Sequence, residues 1–229
     1  MTLERLIEEA HKLARPSVNL EPFGEDSQFA AVWGGKGIVG SEKRKRNHRH
    51  WISVDCRFLP PGFDGLTGVF SVYLSLGMDD WEESVVEWES DASLNRSSLN
   101  GGTPLFAQEA LSLPNIDITL QLSSPDIQRW LVGRNWQPYW GFGDLPLEDQ
   151  KLIFPFDDYL HERALAWKSD DDRSTYAALA GWQTGWAEST WDEYENKGMK
   201  LVLWTFKDSE PWIEVWWDGG QLHSVTRIT

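Results

Sequence analysis

The segment Trp33–Trp51, WGGKGIVGSEKRKRNHRHW, sets Gly35, Gly37 and Gly40 in G-x-G-x-x-G spacing and follows them with Lys43, Arg44, Lys45, Arg46 and Arg49. Glycines so spaced let backbone N–H groups close on a phosphate. That chemistry needs a strand before them, a helix directly after and an acid about twenty residues on. FAAVW suits the strand, but SEKRKRNHRH has no apolar helical face, and Asp55 comes fifteen residues after Gly40. No G-K-[ST] follows. The expectation is a glycine-rich turn opening into a mobile basic loop over 41–50, not a nucleotide cradle.

His48 and His50 stand at H-x-H spacing before a strand, and Cys56 shares their parity. Six strand residues at ~3.3 Å each put His50 and Cys56 ~20 Å apart, too far for one metal ion. Cys56 falls on an apolar face and reads as an inert buried thiol. Asp157, Asp158, His161 and Glu162 form the densest acid/His cluster, with i, i+4 pairs on a helix. Acid–base or divalent-metal work would suit such a set. Leu165 stands where H-E-x-x-H would need its second histidine, so a solvated helix face is the better reading.

Gly181–Glu195, GWQTGWAESTWDEYE, combines indoles with carboxylates. Trp182, Trp186 and Trp191 with Glu188, Asp192, Glu193 and Glu195 would make an aromatic-acidic cleft of the kind that stacks sugars, and Trp182, Trp186, Glu188, Trp191, Asp192 and Glu193 are the candidate binding residues. Glycosidases need two carboxylates ~5–9.5 Å apart. Nothing in the spacing fixes such a pair, and the other reading has the indoles plugging a sheet while the acids face water. No G-x-S-x-G elbow occurs. No catalytic residue, no cofactor and no metal are therefore expected.

Thirty-six acids against twenty-one Lys/Arg give the 229-residue chain a formal charge of −15. That field works against nucleic acid and anionic lipid and suits a basic protein partner. The single cysteine excludes an internal disulfide. No apolar run approaches the ~20 residues that cross a bilayer, and MTLERLIEEAHKLARP lacks the apolar core of a secretion signal. A cytoplasmic protein without membrane association is expected.

Periodicity predicts the elements that position these groups. Leu3, Leu6, Ile7, Ala10 and Leu13 make one face of a helix over 3–14, capped by Thr2. PSVNLEPFGEDSQ reads as loop. WISVDCRFL and GVFSVYLSLG alternate with period two, which predicts neighbouring antiparallel strands with one wet face. SVVEWES and NIDITLQLS read as a third and fourth strand. SSPDIQRWLVG carries an N-cap serine, a first-turn proline and a terminal glycine, and predicts a helix. Residues 157–168 read as another helix. KLVLWTFKD, PWIEVWWDGG and QLHSVTRIT return to strand, with a turn at Asp218-Gly219-Gly220.

The order of these pieces carries a resemblance. Trp33-Gly34-Gly35 precedes HWISVDCRFLP and GLTGVFSVYLS; LSLP at Leu111–Pro114 and ALAGW at Ala178–Trp182 follow; LVLWTFKDSE and WIEVWWDGG come last. The layout resembles the YwqG-like bacterial family of unknown function. The resemblance implies an α+β fold with antiparallel sheet, and transfers no catalytic residue.

The expected fold is therefore α+β, mostly antiparallel sheet with a few short flanking helices. It forms a single domain over 1–229, with 1–123 and 124–229 as intimate halves if it divides. The strand–turn–strand units WISVDCRFLP…GVFSVYLS and LVLWTFKDSE…WIEVWWDGG suit two pseudo-repeated sheet halves, and two unrelated hairpins would look the same. The expected function is a non-enzymatic interaction module for a basic partner, immunity- or antitoxin-like in one version. The alternative is a carbohydrate-binding or carbohydrate-cleaving protein using the Trp/acid cleft.

Overall fold

A computed structural model describes residues 1–22, 28–75, 83–133, 146–163, 177–182, 194–205 and 212–227. Its elements are α1 (Leu3–Lys12), β1 (Arg15–Glu21), β2 (Gln28–Trp33), α2 (Glu42–Asn47), β3 (His48–Asp55), β4 (Val69–Ser75), β5 (Ser84–Glu89), β6 (Thr103–Ser112), α3 (Ile116–Leu122), α4 (Pro125–Val132), α5 (Leu147–Arg163), β7 (Ala177–Ala180), β8 (Lys200–Thr205), β9 (Trp212–Trp217) and β10 (Leu222–Arg227). The fold is α+β and mostly β.

The ten strands form one antiparallel sheet in the order β10-β9-β8-β7-β1-β6-β2-β3-β4-β5. One apolar cluster draws on every strand. Val18, Ala31, Ile52, Phe70, Val86, Leu105, Leu179, Leu203, Val215 and Leu222 all join it, so the sheet curls around them. Its edges meet. The Ser84 N–H donates to Thr226 Oγ1 (3.0 Å), the Ser224 hydroxyl donates to Ser84 O (2.9 Å), and the Trp88 and Trp217 rings lie edge to face 5.5 Å apart. Both edge strands are thereby covered, which removes an aggregation hazard.

The strand order is unchanged when each of β1–β5 is exchanged for the strand five places later. The first strands are crossed over: β1 lies beside β7, and β6 beside β2. Register follows the same exchange. β3 and β8 each bulge against the next strand, at Trp51 and at Val202. Trp33 faces Ile52 just past the first bulge, and Leu179 faces Leu203 just past the second. Each of these strands runs into two successive left-handed residues, Gly34 and Gly35 (φ 66° and 69°) in one case, Ala180 and Gly181 (57° and 79°) in the other. The hairpins β3–β4 and β8–β9 thus hold equivalent places in the strand order.

Several elements depart from expectation for physical reasons. NIDITLQLS is helix α3, not a strand. The Asn115 side chain caps it by accepting from the Ile118 N–H (2.9 Å). Ile116 and Leu120 pack into one apolar cluster and Ile118 into another, so a helix wedged between two cores imitates strand alternation. PSVNLE, read as loop, is most of β1 in the middle of the sheet, where Ser17 and Asn19 are buried. The basic run is not a loop over 41–50: Glu42–Asn47 form helix α2, with Ser41 Oγ accepting from the Arg44 N–H (3.2 Å), and β3 begins at His48. The predicted wet face of β3 and β4 is dry, since Ser53, Ser71 and Tyr73 are wholly buried.

α1, α3, α4 and α5 build a second core around Leu6, Ile127, Ile153 and Phe156. Glu9 of α1 is buried there, and its carboxylate accepts from the Ser124 N–H at the start of α4 (3.0 Å) and from Lys12 (2.6 Å). α3 covers the outward faces of β7–β9 through Ile118, Ala178, Trp204 and Trp216. α5 starts ten residues before the predicted helix and carries Pro155 inside it.

Candidate functional site

The glycine segment after β2 lies over the outward face of β3 and β4. The bulge at Trp51 resets strand parity and brings His50 to the same face as Ser53. His50 Nδ1 donates to Gly34 O (2.7 Å), which leaves Nε2 to accept from the Ser53 hydroxyl (2.8 Å). The Ser71 hydroxyl then donates to Ser53 Oγ (2.6 Å). The backbone N–H of Ile38 donates to Ser53 Oγ (3.5 Å) and that of Val39 to Ser71 Oγ (3.2 Å). The Tyr73 hydroxyl donates to Val39 O, and burial pushes its phenol up to about 12, which keeps the donor protonated. A Cβ on Gly37 would run into that hydroxyl. The N–H groups at Ile38 and Val39, which a phosphate would need, are therefore held by the protein's own serines. Arg44 of α2 is drawn onto the body by Glu87 (2.9 Å) and His48 (2.8 Å).

The other connection of this kind follows β7 and leads to an open site. Left-handed Ala180 and Gly181 turn the chain, and Ser112 Oγ holds the turn by accepting from the Trp182 N–H (2.9 Å). A Cβ on Gly181 would stand 2.7 Å from that of Ser112 and 2.9 Å from that of Ser17, so only glycine fits. Trp182 is buried, and its indole N–H donates to Leu13 O (2.6 Å). The Arg15 guanidinium lies 3.3 Å over the Trp182 ring and forks onto the Glu195 carboxylate, one of the two bonds measuring 3.1 Å. Lys200 reaches across to Gly62 O (2.5 Å). Between these groups and the Pro60–Phe63 segment lies a cavity of about 450 Å³.

A second cavity of about 890 Å³ lies on the other side of Pro60 and Pro61. Val18, Ala107, Glu109 and Leu111 from the inward face of β1 and β6 form its floor. Among the described residues, β2 meets β6 from Gln28, opposite Ala107, to Trp33, opposite Thr103. The two cavities make one mouth of the curled sheet, with Pro60 and Pro61 as a strap across it.

Of the sequence-predicted site, Trp182 stands under Arg15, while Trp186, Glu188, Trp191, Asp192 and Glu193 lie outside the described residues. Cys56 is buried in the main core, and burial with Asp55 beside it pushes its thiol up to about 12. Asp157 and Asp158 lie on α5; the side chains of His161 and Glu162 are outside the described set. Among the described residues no three His, Cys, Asp or Glu are placed to hold a metal, and no helix is long and apolar enough to cross a membrane. No family model matches the sequence, and no curated protein matches it. Arg15, Lys200 and the Pro60–Phe63 strap escaped sequence reasoning. Arg15 and Glu195 are 180 residues apart, so no local spacing announces the pair.

Proposed function

We propose that the protein is a non-enzymatic cytoplasmic interaction module that captures a basic protein partner, with an immunity- or antitoxin-like role as one concrete form. The observation that carries this reading is the charge of −15. A field of that sign accelerates encounter with a cationic surface and deters nucleic acid and anionic lipid. The folding of Arg44 against Glu87 supports it, because part of the one dense cationic segment is neutralised by the body. Kinship with the YwqG-like family belongs to the same proposal and adds no catalytic group to it.

The test is retention of a basic protein from the native host, followed by association kinetics with that purified partner across a salt series. The Debye length shrinks from about 30 Å at 0.01 M to about 3 Å at 1 M, so the association rate should fall steeply. Failure to retain a basic partner, or a rate indifferent to salt, would refute the reading. A second reading, carbohydrate binding or cleavage, is favoured by Glu195 standing at the cavity, where it pairs with the Arg15 guanidinium that covers the Trp182 ring. A glycan-screen hit that ignores salt and disappears in Trp186→Ala would select it.

A further inference from the structure

We propose that the cavity between Arg15, Lys200 and the Pro60–Phe63 strap is a binding site for a small organic anion, a carboxylate or phosphate monoester on a compact apolar body. This does not rest on the partner-capture reading, which concerns the exterior. The volume of about 450 Å³ falls in the range of small-molecule sites. Its walls divide by chemistry: Pro60, Pro61, Phe63 and Met199 are apolar, while Arg15 and Lys200 carry the donors.

Arg15 has five N–H groups, of which Glu195 engages two, and Lys200 has three, of which Gly62 O takes one. Donors thus remain on both cations at the cavity. Trp182 fixes the plane of the guanidinium, so an incoming anion meets the spare N–H groups of a held cation rather than a mobile side chain. Arg15 and Lys200 outweigh Glu195 by one charge, which makes the mouth locally cationic in a chain of charge −15. Ala180, on the wall, holds a left-handed φ of 57° without being glycine, and strain of that kind gathers at ligand sites. A ligand carboxylate or phosphate binds the spare donors of Arg15 and Lys200 together, and its apolar part lies under the strap.

The experiment is calorimetric titration of the full chain with phenylacetate, phenyl phosphate and the neutral 2-phenylethanol. Binding of at least one anion is expected, with 2-phenylethanol at least tenfold weaker. Preference between the two anions identifies the head group. Lys200→Met and Arg15→Met should each weaken the anion tenfold or more; Lys200 is mostly exposed, so its variant tests the site even where loss of the Arg15 bonds impairs folding. No binding by either anion, equal binding of 2-phenylethanol, or a Lys200→Met affinity within twofold of the original would overturn the proposal.

Discussion

Ser71→Ala tests whether the glycine segment is held by the buried serines rather than kept open for a ligand. Ser71 is wholly buried; its oxygen accepts from the Val39 N–H at 3.2 Å and lies 2.6 Å from Ser53 Oγ. Alanine orphans the Val39 donor, at about 1–3 kcal/mol, and deletes the serine–serine bond, at about 1 kcal/mol. The sum is about 2–4 kcal/mol. At about 2–4 °C per kcal/mol for a chain of this size, the thermal midpoint should drop by roughly 4–16 °C. The assay is thermal unfolding by circular dichroism, with amide exchange read at Val39. Ser75→Ala is the control, because its oxygen accepts from the exposed Glu83 N–H and its loss should stay within about 0.5 kcal/mol. A Ser71→Ala midpoint within about 1 °C of the parent, with Val39 still protected, would refute the reasoning.

Three further outcomes follow from the buried and paired groups. Cys56, with its thiol pushed up to about 12, should resist a disulfide reagent at pH values near 8 in the folded protein and react fully in denaturant; prompt native labelling would contradict its burial. Lys12 holds the Glu9 carboxyl below its usual 4.5, so this group stabilises fully above the unfolded value and loses that contribution as pH falls through the lowered folded one. Glu9→Gln should therefore cost about 1–2 kcal/mol at neutral pH, and urea midpoints should show the gap closing in acid. His223 beside Asp218 lowers that carboxyl to about 2, and carboxyl NMR titration of His223→Ala should move it back toward 3.8.

Strand alternation was legible where one face alone met the core. Phe70, Val72 and Leu74 were assigned correctly because their side of β4 faces inward. The reading failed where long-range packing reversed the local rule. Ser71 and Tyr73 look like solvent residues, yet the segment 34–40 covers them, and no local signal says so. β1 carries Pro16, Ser17 and Asn19, which read as loop; it is a strand because β6 and β7 supply partners from about 90 and 160 residues away. Ile52, Val54 and Cys56 face the core as the alternation in WISVDCRFL predicts, but the bulge at Trp51, which residue types do not announce, puts Trp51 on that face as well and His50 on the face of Ser53. At the candidate site Trp182 and Glu195 were legible as an indole and a carboxylate of GWQTGWAESTWDEYE; Arg15 and Lys200 enter through topology.

The exchange of β1–β5 with β6–β10 explains why the two stretches most prominent in the sequence behave differently. WGGKG and ALAGW occupy equivalent turns, each with two left-handed residues after a strand facing a bulged neighbour. In the first, the outward pair opposite the turn is Ser53 and Ser71, small hydroxyls that bond the returning backbone at Ile38 and Val39 and close the site. In the second, the corresponding pair is Trp204 and Glu214, both buried. There the Trp216 indole donates to the buried Glu214 (2.9 Å), Tyr194 stacks on Trp216 at 5.1 Å, and the turn is secured from the other side by Ser112. The cavity with Arg15 and Lys200 on its wall thus lies beside the second turn, whose opposing pair offers no hydroxyl, while the glycine-rich first turn is bonded down by its two serines.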